Sequence, residues 1–221
     1  MARPARPDVH EALLEAARAE FSRRGLERAR VEDISRRAGI SKGAFYLHFR
    51  TKDDAYNELL HRFLGALEAL AQRRMTATAL LDTLPASQLR TPAGVQQWFA
   101  LECAMDTELL ELLWTNRQLQ RVLDGAGGHR WSKPMDAFRR RMRALSSGRV
   151  AERQAAGLVR ADLDAEVIGD LVMGGYESFS RRMADLTTKP DLAAWAESFL
   201  KVIYQGLLAP PSAPRPRRAA P

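Results

Sequence analysis

Between Val31 and Lys52 the sequence describes a helix, a glycine stop and a second helix with its own cap. Ile34 and Ala38 fall one turn apart and share a face. Gly39 follows them, where left-handed backbone is easily reached. Ser41 precedes the second helix and can accept from a free first-turn N–H. Phe45 and Phe49 lie on one face of that helix, with Tyr46 and Leu47 flanking. A helix this short is not stable alone. A scaffold must hold it by its aromatic face and leave its far side free to enter a groove. Helix, glycine turn and capped helix are the parts of a helix-turn-helix.

The charge distribution agrees. Residues 1–50 hold 11 Lys/Arg against 7 Asp/Glu, whereas residues 51–209 hold 20 of each. The tail 210–221 adds three arginines and no acid, so the net charge of +7 sits on the helix-turn-helix end and the tail. A basic end on a neutral body suits attraction to phosphate, although a solvated charged face has the same composition. The one cysteine, Cys103, excludes an intramolecular disulfide and a multi-cysteine metal site, and its apolar surroundings suggest a buried structural thiol. Arg3 and Arg6 precede no apolar run, so no signal peptide is expected. No stretch approaches ~18 consecutive apolar residues. The expected location is the cytoplasm, with no membrane partner.

Taken in order, residues 1–7 are Pro- and Arg-rich and are expected to be a disordered basic arm. Asp8 and Glu11 resemble a capping box. Val9, Leu13, Ala17 and Phe21 then give a first helix one apolar stripe, ending at Gly25. Helices follow at about 31–38 and 41–48. Thr51 and Asp54 cap a fourth, which runs to about residue 74 or beyond, and Pro85 interrupts whatever follows. Thr91-Pro92 starts a helix reaching Trp114, and Gly125-Ala126-Gly127-Gly128 is a flexible break. Further helices are expected from Pro134 to Ala156, over 165–185 after an Asp164 cap, and from about 191 to 208. Arg139-Arg140-Arg141 and Arg143 read as a solvated basic face. The tail after Pro210 reads as disordered. No useful alternating pattern occurs, so the fold is expected to be all-α.

Residues 8–60 resemble the DNA-binding domain of the tetracycline-repressor (TetR) family of bacterial regulators. The resemblance lies in Phe21-x-x-x-Gly25, then Val31-x-x-Ile34-x-x-x-Ala38-Gly39-Ile40-Ser41-Lys42-Gly43-x-Phe45-Tyr46-x-x-Phe49-x-x-Lys52. It covers about a quarter of the chain. Beyond it, Ala156-Gly157-Leu158-Val159-Arg160-x-Asp162 is similar to the family's turn before its dimerisation helices. Arg30 stands where the family often has a small hydroxyl residue, Ser35 where alanine is common, and Ala44 where threonine is frequent. The resemblance implies a three-helix helix-turn-helix domain over 8–52, with a helical ligand-binding and dimerisation domain over 53–209. It implies a DNA-binding transcriptional regulator, by family habit a repressor released by a small-molecule ligand. The partners implied are a pseudo-palindromic operator, a second copy and an unknown effector. No cofactor or metal is expected.

In a helix-turn-helix the N-terminal residues of the second helix point into the major groove. Those residues are Ser41, Lys42, Gly43 and Ala44. Lys42 can donate to a guanine edge or to a phosphate, Gly43 permits close backbone approach, and Ala44 offers only a methyl contact. Tyr46, His48 and Lys52 are placed as phosphate clamps, and Arg30 can meet a phosphate through its long side chain.

For the dimer surface the last two helices offer two stripes: Leu171, Val172, Gly175, Tyr176 and Phe179, and Trp195, Phe199, Val202 and Ile203. Either stripe can instead face the chain's own core. By resemblance the middle helices enclose a pocket, for which Trp98, Phe99, Glu102, Met105 and Trp114 are candidates, with Trp131, Met135, Phe138 and Met142. Aromatic and methionine residues at helical spacing also describe plain core. Glu102, if buried, requires a cationic ligand, an internal arginine or water.

An enzyme is the first rival, but the sequence has no Gly-rich phosphate loop, no His-Glu-x-x-His, no nucleophile elbow and only four scattered histidines. No catalytic residue is expected. The second rival is a helical protein-interaction module, or a regulator controlled by a protein partner.

Overall fold

The computed structural model describes residues 8–82, 86–89, 91–124 and 132–207. Expectations for the arm 1–7, the interruption at Pro85, the break at Gly125–Gly128, Trp131 and the tail 210–221 lie outside these residues. The described residues form the helices α1 (Val9–Arg28), α2 (Val31–Arg37), α3 (Lys42–His48), α4 (Lys52–Asp82), α5 (Ala86–Leu89), α6 (Pro92–Thr115), α7 (Arg117–Asp124), α8 (Ser132–Ala155), α9 (Ala165–Asp185) and α10 (Leu192–Leu207). The all-α class holds.

Local chemistry sets most boundaries. Asp8 accepts from the His10 N–H at 2.9 Å and starts α1. Glu11 does not complete the expected capping box, because Arg62 takes both of its oxygens at 2.7 and 2.9 Å. Gly25, at φ 73° and ψ 164°, breaks the helical path inside α1. Thr51 and Asp54 cap α4 reciprocally. The Thr51 N–H donates to the Asp54 carboxylate at 2.9 Å, and the Asp54 N–H donates to the Thr51 hydroxyl at 3.2 Å. Thr91, Asp164 and Asp191 accept from first-turn N–H groups of α6, α9 and α10.

Two compact units emerge from the packing. The first takes Met1–Leu70, Leu112–Phe138 and Phe179–Thr188, and the second Ala71–Glu111, Arg139–Ser178 and Lys189–Pro221. In the first, α1 packs on α2 and α7, and α2 on α3. Its core is Leu13, Leu14, Ala17, Phe21, Ile34, Phe45, Tyr56, Leu59, Leu60 and Leu119, each almost fully buried. No helix is expected over 117–124 from the sequence. Leu119, Val122 and Leu123 have helical spacing, but over barely more than one turn. Tertiary contacts complete it: the Tyr56 hydroxyl donates to the Leu119 carbonyl at 3.2 Å, and Arg18 donates to the Asn116 side-chain oxygen at 3.2 Å.

In the second unit, Leu89, Trp98, Leu158 and Val159 form a buried cluster, with Val150 and Tyr204 packed against it. Gly157, at φ 68°, turns the chain after α8. The turn is fixed by Gln154, which donates to the carbonyls of Arg160 and Leu163 at 2.8 and 2.7 Å. Cys103 corrects one expectation. It is half-buried and borders an open groove rather than lying in the core, and burial pushes its thiol pKa up.

Candidate nucleic-acid interface

Phe45 has no exposure and Phe49 has 4%, so α3 is pinned by the aromatic face that the sequence marks out. Their ring centroids lie 5.5 Å apart, and Phe49 stacks on His10 at 4.9 Å. Ser41 caps the helix as expected, accepting from the Ala44 N–H at 3.1 Å. Its cap conformation, with ψ at 153°, turns the chain sharply out of α2. Gly39, at φ 71°, makes the turn between the helices.

Ser41, Lys42, Gly43, Tyr46 and His48 are exposed, and Ala44 is half-buried. These six occupy one short helix and its cap, so the fold brings them together. Arg30 is exposed at the N-cap position of α2, with no side-chain cap bond. The His48 ring lies 5.6 Å from His10. Lys52 has other commitments: its ammonium donates to the carbonyls of Glu27 and Ala29 at 2.8 and 3.1 Å, closing the end of α1. A carbonyl pair at that distance could not be foreseen from a lysine at the start of a helix.

Lys42 is also engaged, through an ion pair with Glu32 of α2. The hydrogen bond from Lys42 lowers the Glu32 pKa, and the same bond raises that of Lys42. An exposed pair of this kind adds little to stability. Its carboxylate nevertheless stands beside the group best suited to meet DNA. Glu32→Gln is therefore expected to tighten DNA binding roughly two- to fivefold at low salt, with the gain shrinking as salt screens the charge. Anisotropy titrations of both proteins at two salt concentrations measure this. Weaker binding by the variant would instead make Glu32 a group that positions Lys42 on DNA.

The expected pocket residues divide between the units. Trp98, Phe99, Glu102, Met105 and Met142 belong to the second, and Trp114, Met135 and Phe138 to the first. Trp114 carries the Arg117 guanidinium 3.9 Å from its ring centroid. Glu102 is 2% exposed and is satisfied internally. It pairs with Arg74, accepts from the Trp98 indole N–H at 3.1 Å and lies 3.2 Å from Arg153. Of the three partners open to it, an internal arginine is the one found. Arg74 also reaches Asp106 at 2.6 Å, and the Tyr176 hydroxyl donates to the same Asp106 oxygen at 2.8 Å. Trp98, Glu102 and Asp106 recur at every fourth position and share a face of α6. Of these residues only Glu102 stands out in the sequence; Asp106, Arg74 and Arg153 do not, although Asp106 follows Glu102 at the i+4 step.

The two stripes proposed for a dimer surface split. Gly175 lies against Phe199, so close that a Cβ there would come within 2.6 Å of the ring. Tyr176 is buried, 5.3 Å from Phe199 between ring centroids. Val172, Trp195 and Ile203 are half-buried, as is Phe179 in the first unit. Leu171 and Val202, in contrast, are 63% and 72% exposed, and Val167, one turn before Leu171, is 55% exposed.

Residues 13–59 match the profile of the bacterial regulatory proteins of the tetR family. Over 92% of this chain and 94% of the relative, the sequence is 24% identical to the transcriptional repressor DhaR of Mycobacterium sp. strain GP1. A further match is 43% identical to the transcriptional repressor KstR2 of Mycobacterium tuberculosis, over 30% of this chain and 34% of that one. Residues 13–59 are a tetR-family DNA-binding domain. The solved structure of the ketosteroid transcriptional regulator KstR2 of Mycobacterium tuberculosis has the same fold, with a TM-score of 0.67 at 19% identity, over 95% of this chain and all of that one. Carrying that domain, the chain is a DNA-binding transcriptional regulator. No helix among the described residues is long and apolar enough to cross a membrane.

Proposed function

We propose that this tetR-family regulator is a cytoplasmic repressor that reads a pseudo-palindromic operator as a homodimer and leaves it when a small molecule binds. The observation that carries the reading is α3: seven residues, capped by Ser41, pinned by Phe45 and Phe49, with Lys42, Gly43 and Tyr46 turned outward. Lys42 meets a guanine edge or a phosphate, and Tyr46, His48 and Arg30 hold the backbone. The small net worth of one such helix requires two, about one DNA turn or ~34–36 Å apart. Leu171 and Val202, joined by Val167, supply exposed apolar surface for the second copy.

The effector is taken by the second unit. Glu102 is not its counter-ion, because Arg74 and Arg153 already meet that carboxylate. An open groove of about 430 Å³, bordered by Phe99, Cys103 and Thr107 of α6 and by Ala194 and Glu197 of α10, is the space on hand. Release requires the effector to bind one state of the dimer more tightly than the other.

The test is selection of a binding site from a randomised duplex pool by the full-length protein, followed by anisotropy on the selected and a scrambled duplex at two salt concentrations. A two-fold-symmetric consensus, bound specifically with a steep salt slope, is expected. Equal binding to both duplexes would overturn the reading.

A further inference from the structure

The six residues of α3 and its cap expected to contact DNA do not include the most exposed large apolar side chain of that helix. Leu47 is 85% exposed. Successive helix positions turn by about 100°, so Leu47 lies about 160–200° from Phe45 and Phe49, at the pole opposite the buried face. Its neighbours at that pole are Gly43, four residues back, and Ala44, three back. Tyr46 and His48 stand at the edges of the strip, about 100° to either side of Leu47, and Lys42 lies nearer the buried face at the N-terminal end of the helix. The part of α3 that goes deepest into a groove therefore carries no donor or acceptor beyond the backbone.

We propose that Leu47, seated between Gly43 and Ala44, is a specificity-determining residue that reads thymine methyl groups in the major groove. This rests on the reading of α3 as the base-reading helix. A leucine cannot hydrogen-bond a base edge. Against guanine, adenine or cytosine it would strip water from polar groups and return nothing, which penalises those bases. Against thymine it buries apolar surface on the C5 methyl, the one apolar feature the major groove offers. The absence of a Cβ at Gly43 and the single methyl of Ala44 leave room for the leucine to be the contact. Tyr46 and His48 at the strip's edges, with Lys42 at the start of the helix, hold it against phosphate while the apolar pole faces the bases. DNA is the occupant that this combination of an apolar pole and a cationic rim fits.

The experiment is a deoxyuridine scan of the selected operator, done with wild-type protein and with Leu47→Ala. Deoxyuridine lacks only the methyl group. Replacing one thymine in each half-site is expected to weaken wild-type binding about fourfold per half-site, the worth of one buried methyl. The same replacement should leave Leu47→Ala binding unchanged, and the variant should tolerate other bases at that position. The exposed substitution does not threaten the fold, and an unchanged thermal midpoint checks this. If every deoxyuridine affects wild type and variant alike, or the consensus holds no thymine at a matching place, Leu47 does not read methyl groups, although the regulator reading stands. If wild type selects no consensus at all, both fail.

Discussion

Arg74→Met is expected to lower the unfolding free energy by about 3–5 kcal/mol, the loss typical when one partner of a buried ion pair is removed. Arg74 serves two carboxylates at once, Glu102 and Asp106, whose side chains are 3% and 0% exposed. Without the guanidinium, Asp106 keeps only the Tyr176 hydroxyl, and its second oxygen is already buried with no partner. Glu102 keeps Trp98 and Arg153, the latter also lying 4.4 Å over the Trp98 ring. Of two buried acids one helical turn apart, only Glu102 would then keep a cation. The deficit should shrink on acidification, because protonation removes the charges that have lost their partner. Urea unfolding followed by tryptophan fluorescence at pH 7 and pH 5 measures both effects. A loss below about 1 kcal/mol would mean that water replaces the guanidinium, and the network would then be structural ornament rather than a support of the second unit.

The helix-turn-helix was legible because local rules decide it. The Ser41 cap, the glycine at a left-handed position and the Phe45–Phe49 face each depend on residues a few positions apart. The starts of α4, α6 and α9 follow from caps for the same reason. The buried network was not legible, since Arg74, Glu102 and Arg153 are brought together from three helices far apart in sequence. Lys52 was unreadable in the same way: its ammonium closes α1 across 25 positions of chain. The stripes on α9 and α10 show a different limit. A helical face of apolar residues says that something covers it, and Gly175–Tyr176 against Phe199 is answered within the second unit, whereas Leu171 and Val202 point outward. Periodicity alone assigns both to one class.

Glu102→Gln and Asp106→Asn, four residues apart on α6, are expected to move stability in opposite directions at neutral pH. Burial pushes Glu102 upward, but Arg74 and then Arg153 outweigh it and lower its pKa from 4.5 to about 2. A lowered folded-state pKa stabilises the protein above the ordinary carboxylate range, and that stabilisation is lost as pH falls from about 4.5 towards 2. Glu102→Gln should therefore cost about 3 kcal/mol at pH 7 and progressively less in acid. Asp106 is dominated by burial, which raises its pKa despite Arg74 and the Tyr176 hydrogen bond. A raised carboxylate pKa has the opposite sign: its contribution is present below the ordinary value and is lost as pH rises through the raised one. At neutral pH the Asp106 charge is thus a burden, and Asp106→Asn removes it while keeping an oxygen for Tyr176 and Arg74. Its unfolding midpoint should rise at pH 7 and approach that of the wild type in acid. Midpoints of both variants at pH 7 and pH 4 make the comparison. If Asp106→Asn is destabilising at pH 7 as well, Arg74 stabilises the Asp106 carboxylate more than burial opposes it, and the two acids act as equal partners of one arginine.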